Sequence, residues 1–384
     1  MKSAAESTAV LGLGTALPPF RIEQTETAQR LAEALKDHSD AMRWAKRIFK
    51  QCGVENRYTV LPELLQPADQ CRYTPCTPAE DVPSTAERMA VFKREAVPLG
   101  LSAACEALQD SGVEPSAITH LITVSCTGQF LPGMDAVLAV ELGLSREVTR
   151  IPLNFLGCAA GLKAIALASR FVKAEHSAKV LIVCVELCTL HLQASVEREQ
   201  LYAASFFGDG ASACVVGRTQ LRDKGMFQLG EERSVLLPDY AEEMVWEVGD
   251  HGFDLYLSPN IPKRIGEGVP PLLKDWLDHA APPGLWAIHP GGKGIVDALQ
   301  DRLGLSEEQV AFSRGVLRQY GNMSSVTILF VLKEMRRKLD ERKACEEEGI
   351  ALAFGPGLTA ELVRFRYLPS AGVTASVPLE DAYA

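Results

Sequence analysis

The stretch NFLGCAAGL, residues 154–162, sets a cysteine between a strand-like run and a helix-like run. Gly157 permits a tight backbone approach, and Ala159, Ala160 and Gly161 clear space around the Cys158 sulfur. A helical pattern, Leu162–Val172, follows at once, which predicts the thiol at a helix N-terminus. Unpaired N–H groups and the helix dipole there favour an anion and lower a thiol's pKa. The same residues also read as a buried cysteine at a tight strand–helix junction. Taken alone, the segment does not choose between a nucleophile and core filler.

Outward from this junction, short apolar runs alternate with longer helical patterns, the mark of an α/β protein. Strands are predicted at Ala9–Leu13, Leu121–Ser125, Lys179–Glu186, Ala211–Gly217, Leu285–His289 and Ile350–Phe354. Helices are predicted at Thr25–Leu35, Glu95–Gln109, Leu162–Val172, Gly294–Leu303 and Met323–Leu339. Residues 218–245 are less regular and more charged, and they divide the chain into halves expected at 1–220 and 221–384. GLGTAL, residues 12–17, resembles a dinucleotide loop, but a third glycine is missing and Pro18 and Pro19 stand where a helix would begin.

The 384 residues carry a net charge of −10, which argues against a nucleic-acid partner. Small anionic ligands need only a local basic patch. The N-terminus lacks a basic segment followed by an apolar one, and apolar runs such as Val180–Val185 are too short to span a bilayer. A cytoplasmic protein without stable membrane association is expected. The 10 cysteines are too sparse for a disulfide scaffold, and their spacing suits no metal site.

Two more stretches bear on Cys158. WAIHPGGKGI, residues 286–295, ends a strand on His289 and runs through glycines into a helix. YGNMSSVTILF, residues 320–330, sets Asn322 after a glycine and before a helix. A core histidine and a helix N-cap are the ordinary accounts. Together the three residue types define a chemistry: a cysteine that holds an acyl group, and two N–H donors for the oxyanion of a second thioester. That donor pair suits decarboxylation of a malonyl thioester. A cysteine hydrolase would use the same residue types with histidine as base, so the types alone leave both open.

The chain resembles the type III polyketide synthases, the chalcone- and stilbene-synthase-like enzymes. The likeness is carried by GCAAG around Cys158, FFGDGASA from Phe206, IHPGGKGI around His289, GNMSS around Asn322 and AFGPGLTAE from Ala353. The resemblance implies a thiolase-like αβαβα fold of two similar halves acting as a homodimer. It implies acyl-CoA and malonyl-CoA as substrates, with no further cofactor and no metal. It places the catalytic groups at Cys158, His289 and Asn322, with His289 favouring the Cys158 thiolate as an ion pair. A gatekeeping phenylalanine falls on Phe207 and a second gatekeeper on Leu255, with Phe253 the alternative.

By the same resemblance Cys126, Thr127, Leu131, Cys188, His191, Ser324 and Pro356 are expected to line the cavity. The CoA phosphates are expected at Arg47 and Lys50, within a patch that includes Arg43, Lys46 and Arg57, and at Gly291, Gly292 and Gly294. VELCTLHLQ, residues 185–193, and WEVGDHGFDLYLS, residues 246–258, resemble bacterial alkylpyrone and alkylresorcinol synthases. They imply a medium-to-long acyl starter, whose burial is worth about 0.8 kcal/mol per methylene. A chalcone-like or malonyl-only enzyme and a β-ketoacyl-carrier-protein synthase III are the alternatives.

Overall fold

The computed structural model describes residues 7–219, 224–277 and 283–370. The expected boundary between halves at 220/221 lies outside the described residues. The first half runs β1 (Thr8–Ala16), β2 (Phe20–Glu23), α1 (Gln24–Ala34), α2 (Ser39–Gln51), β3 (Asn56–Thr59), α3 (Thr85–Ser111), β4 (His120–Ser125) and α4 (Met134–Glu141). It continues through β5 (Thr149–Asn154), α5 (Ala160–Ala174), β6 (Val180–Leu187), α6 (Arg198–Phe206) and β7 (Asp209–Arg218). The second half holds β8 (Met226–Leu236), β9 (Met244–Gly249), β10 (Gly252–Leu257), α7 (Ile261–Leu277) and β11 (Leu285–Ile288). After it come α8 (Lys293–Leu303), α9 (Glu307–Tyr320), α10 (Thr327–Glu341), β12 (Glu347–Gly355) and β13 (Thr359–Leu368).

Nine strands form one sheet in the order β11-β12-β13-β8-β1-β7-β6-β4-β5. The halves meet at a short antiparallel contact, Ala9 with Gln228 and Val10 with Phe227. Outward from this seam each half repeats one pattern: two antiparallel steps, then a parallel step, β4 beside β6 in the first half and β11 beside β12 in the second.

Burial follows the layers. α3 packs Ala103, Ala104 and Ala107 against Leu11, Leu181 and Val215 on one face of the first-half strands. α7 and α8 cover the second-half strands through Ile265, Val269, Val296 and Leu299. Between them α5 and α10 share a core, with Ile165 and Val172 beside Leu329 and Met335. The resulting order is α-β-α-β-α. β6 is buried along its whole length, which is why VLIVCVEL is apolar except at Glu186.

All six predicted strands are found, with boundaries shifted by a few residues. The glycines of GLGTAL serve packing: side chains at Gly12 or Gly14 would collide with the α3 backbone at Ala107 or Ala103. α3 starts ten residues before its predicted start, because Ser84 and Glu87 form a capping box there. The helix predicted from Met323 starts at Thr327 instead, since Ser324 takes a φ of 48° and Ser324–Val326 forms a 3-10 turn. Among the described residues no helix is long and apolar enough to cross a membrane.

Candidate active site

Three loops converge on one cavity, two of them after strands β5 and β11 and the third between helices α9 and α10. Cys158 sits in a 3-10 turn, Gly157–Ala159, that leads into α5. Gly157 holds a φ of 63°, and any side chain there would run into the Pro356 ring. The sequence thus bends sharply where the thiol must be presented. Cys158 is half-buried, whereas the other nine cysteines are either fully buried or on the outer surface.

His289 follows β11, and its backbone N–H donates to the Leu352 carbonyl at 2.7 Å. It is 1% exposed, and neither ring nitrogen has a hydrogen-bond partner. Asn322 is pinned by backbone bonds on both sides: its N–H donates to the Phe206 carbonyl at 2.8 Å, and its carbonyl accepts from the Gly208 N–H at 3.0 Å. The side chain is fixed too. Its Oδ1 accepts from the Ser324 N–H at 2.8 Å, and Nδ2 donates to the Gly291 carbonyl at 3.1 Å. Nδ2 also stands 4.0 Å from Cys158 Sγ. Cys158, His289 and Asn322 all line the same cavity.

Burial pushes the Cys158 thiol up to about 11, opposed by hydrogen bonding from Ser324 and reinforced by the Glu186 charge. Burial also lowers His289 to about 3. For both groups burial favours the uncharged form. Burial thus opposes the charge separation that the expected thiolate–imidazolium pair requires.

Of the expected wall residues, Cys126, Cys188, Ser324 and Pro356 line the cavity, as do Phe207, Leu255, Gly291 and Gly292. Phe253 lies behind the wall, stacked on His191 at 4.2 Å between ring centres. Thr127 and His191 do not reach the cavity. Thr127 donates to Glu186 at 2.7 Å and accepts from the Leu187 N–H at 2.9 Å. His191 accepts the Phe253 N–H on Nδ1 at 2.9 Å and donates from Nε2 to the Thr127 carbonyl at 2.7 Å. Leu131 is carried to the surface by the loop after Cys126 and is 91% exposed.

Arg47 and Lys50 are exposed on α2. Arg57 is not part of their patch, because it is fully buried and donates to the Ala204 and Phe207 carbonyls at 2.8 and 2.7 Å. Gly294 packs against Pro262 rather than facing the cavity. The Lys293 side chain lies near Gly53, just beyond α2, so a further cation joins this edge.

Two features escaped the sequence reading. Glu186, the sole charge in β6, is fully buried and accepts from Thr127, Ser325 and the Cys126 N–H. Burial raises its carboxyl, against the pull of those hydrogen bonds. A lone acid in an apolar strand was a visible signal. The second is the apolar wall formed by Met244, Trp246, Leu257, Ile261, Ile295 and Phe354. Its members are scattered in sequence and gave no local pattern.

Residues 1–220 match the family of chalcone and stilbene synthases, N-terminal domain, and residues 228–369 match the corresponding C-terminal domain. The chain is 34% identical over 361 residues to an alpha-pyrone synthesis polyketide synthase-like protein, Pks18, of Mycobacterium tuberculosis, covering 92% of this chain and 90% of that one. Its fold is similar to the C-terminal type III polyketide synthase domain of Steely1, a type I/III hybrid from Dictyostelium. The TM-score is 0.84 at 29% identity, covering 94% of this chain and 99% of that domain. It is also similar to PKS-I of the brown alga Ectocarpus siliculosus, with a TM-score of 0.86 at 27% identity over 95% and 100% of the two chains.

Proposed function

The chain belongs to the chalcone and stilbene synthases, and we propose that Cys158, His289 and Asn322 are its catalytic groups. It is a type III polyketide synthase, an enzyme of decarboxylative condensation that works on CoA thioesters without a further cofactor. The observation that carries the assignment is the fixed Asn322 amide beside the Cys158 sulfur, with the unpartnered His289 ring in the same cavity.

His289 takes the thiol proton as Cys158 Sγ attacks the starter thioester, and it returns that proton to the departing CoA sulfur. Loss of carbon dioxide from malonyl-CoA then leaves an enolate whose oxygen accepts from His289 and from Asn322 Nδ2. The enolate carbon attacks the Cys158 thioester carbonyl and expels the thiolate. The product is a β-ketoacyl-CoA lengthened by two carbons, which reloads for the next round.

The starter is a medium- or long-chain acyl-CoA, and the product an alkylpyrone or alkylresorcinol. The apolar wall of Met244, Leu255, Leu257 and Ile261 supports this reading. So does the likeness to a relative named for alpha-pyrone synthesis. Phe207 and Leu255 act as gatekeepers, while Arg47 and Lys50 meet the CoA phosphates. The protein works as a homodimer, supported by the exposed Leu131, Val140, Phe155 and Leu156. Incubation of the purified protein with malonyl-CoA and a starter series tests the substrate class. Extension of acyl chains into alkyl-tailed products is expected. A tail-free aromatic product from malonyl-CoA alone would contradict the starter assignment.

A further inference from the structure

The strands β9 and β10 form a two-stranded sheet separate from the main one. Their register pairs Leu255 with Trp246 and Leu257 with Met244, and all four side chains line the cavity. The alternating residues Val245, Glu247 and Tyr256 line a groove on the outer side. The hairpin is thus one wall of the reaction chamber, with a single nitrogen donor, the Trp246 indole, on its inner face.

That indole Nε1 is buried and has no hydrogen-bond partner. Among the described residues lining the cavity, the only other buried side-chain nitrogens left without a partner are those of His289. Buried tryptophan N–H groups ordinarily find an acceptor, and leaving one unmade costs free energy. An indole can only donate, so its missing partner is an acceptor such as a carbonyl oxygen.

The position selects which carbonyl. Trp246 meets Phe253 edge-on at 6.1 Å between ring centres, and Phe253 is tilted against Phe155 at 5.4 Å. Phe155 lines the cavity three residues before Cys158. Trp246 is thus linked through ring contacts to the segment that carries the thiol and shares the cavity lining with Cys158.

We infer that Trp246 is a substrate-binding residue whose indole N–H donates to a ketone oxygen of the β-ketoacyl chain held on Cys158. The donor steadies the growing chain and so influences how many extensions occur before release. This rests on the condensing activity proposed above.

The test compares wild type, Trp246→Phe and Trp246→Ala in reactions of an acyl-CoA starter with malonyl-CoA, with products resolved by mass spectrometry. Trp246→Phe keeps a large ring and removes the donor. It is expected to shift the ratio of longer to shorter products about 2- to 10-fold toward the shorter. A wild-type ratio in Trp246→Phe would overturn the inference, and a shift confined to Trp246→Ala would do so by assigning the residue to packing. A raised KM for CoA substrates at an unchanged ratio would overturn it as well. A wild-type protein that extends no starter at all would instead defeat the condensing activity itself.

Discussion

Asn322 Nδ2 stands 4.0 Å from Cys158 Sγ although 164 positions separate the two residues in sequence. The amide cannot turn without breaking its bonds to the Gly291 carbonyl and the Ser324 N–H. A donor held this way meets developing charge without reorganising, which is the main source of oxyanion stabilisation in enzymes.

The two halves of the reaction should separate by mutation. Asn322→Ala is expected to cut malonyl-CoA decarboxylation by about 100- to 1000-fold. Cys158→Ala should abolish loading and extension yet retain measurable decarboxylation, because both N–H donors survive. Carbon dioxide release from malonyl-CoA, followed in each variant, checks this. Equal loss in both would contradict the division of roles.

Alkylation of Cys158 should report a neutral thiol. With its pKa pushed up to about 11 by burial, the thiolate fraction grows about 10-fold per pH unit across the neutral range. Iodoacetamide labelling of the ligand-free protein should therefore accelerate steadily from pH 7 to 9. A rate already level below pH 7 would indicate a standing thiolate–imidazolium pair.

Acid sensitivity should trace in part to His289, with the buried His191 lowered by burial in the same way. Burial holds His289 near 3, against an ordinary value of 6.5. The unfolded chain thus binds a proton below pH 6.5 that the fold refuses, so stability is full above that value and declines as pH falls. His289→Ala removes this site. Its stability relative to wild type should rise by about 1.4 kcal/mol per pH unit below 6.5, measured by denaturant unfolding. Parallel curves for the two proteins would contradict a buried neutral imidazole.

Gly157→Ala tests the bend that presents the thiol. The φ of 63° and the Pro356 ring both oppose a side chain. A loss of about 2–4 kcal/mol in unfolding free energy is expected, together with reduced acyl loading. Unchanged stability would show that this turn relaxes freely.

Residue order carried the strands well, because each lies in an apolar run, whereas local pattern left Cys158, His289 and Asn322 open and only the family motifs grouped them. It carried side-chain direction poorly. Cys126 and its neighbour Thr127 both bond Glu186, yet only Cys126 lines the cavity, and no local signal separates them. His191 ties two backbone segments behind the wall, a role that exists only once those segments meet. Trp246 and Met244 enter the site through the β9–β10 register, which their own sequence does not state. Leu131 was expected in the cavity by resemblance, yet within one chain its side chain is 91% exposed and outside the cavity lining.

In the proposed mechanism Cys158 carries the acyl chain in the chamber it shares with His289 and Asn322. Brief incubation with a long-chain acyl-CoA, followed by proteolysis and mass spectrometry of the cysteine peptides, tests it most directly. The expected result is the acyl mass on the peptide containing Cys158, absent from Cys158→Ala. Acylation of Cys126 or Cys188 instead, or of no cysteine under turnover conditions, would contradict it.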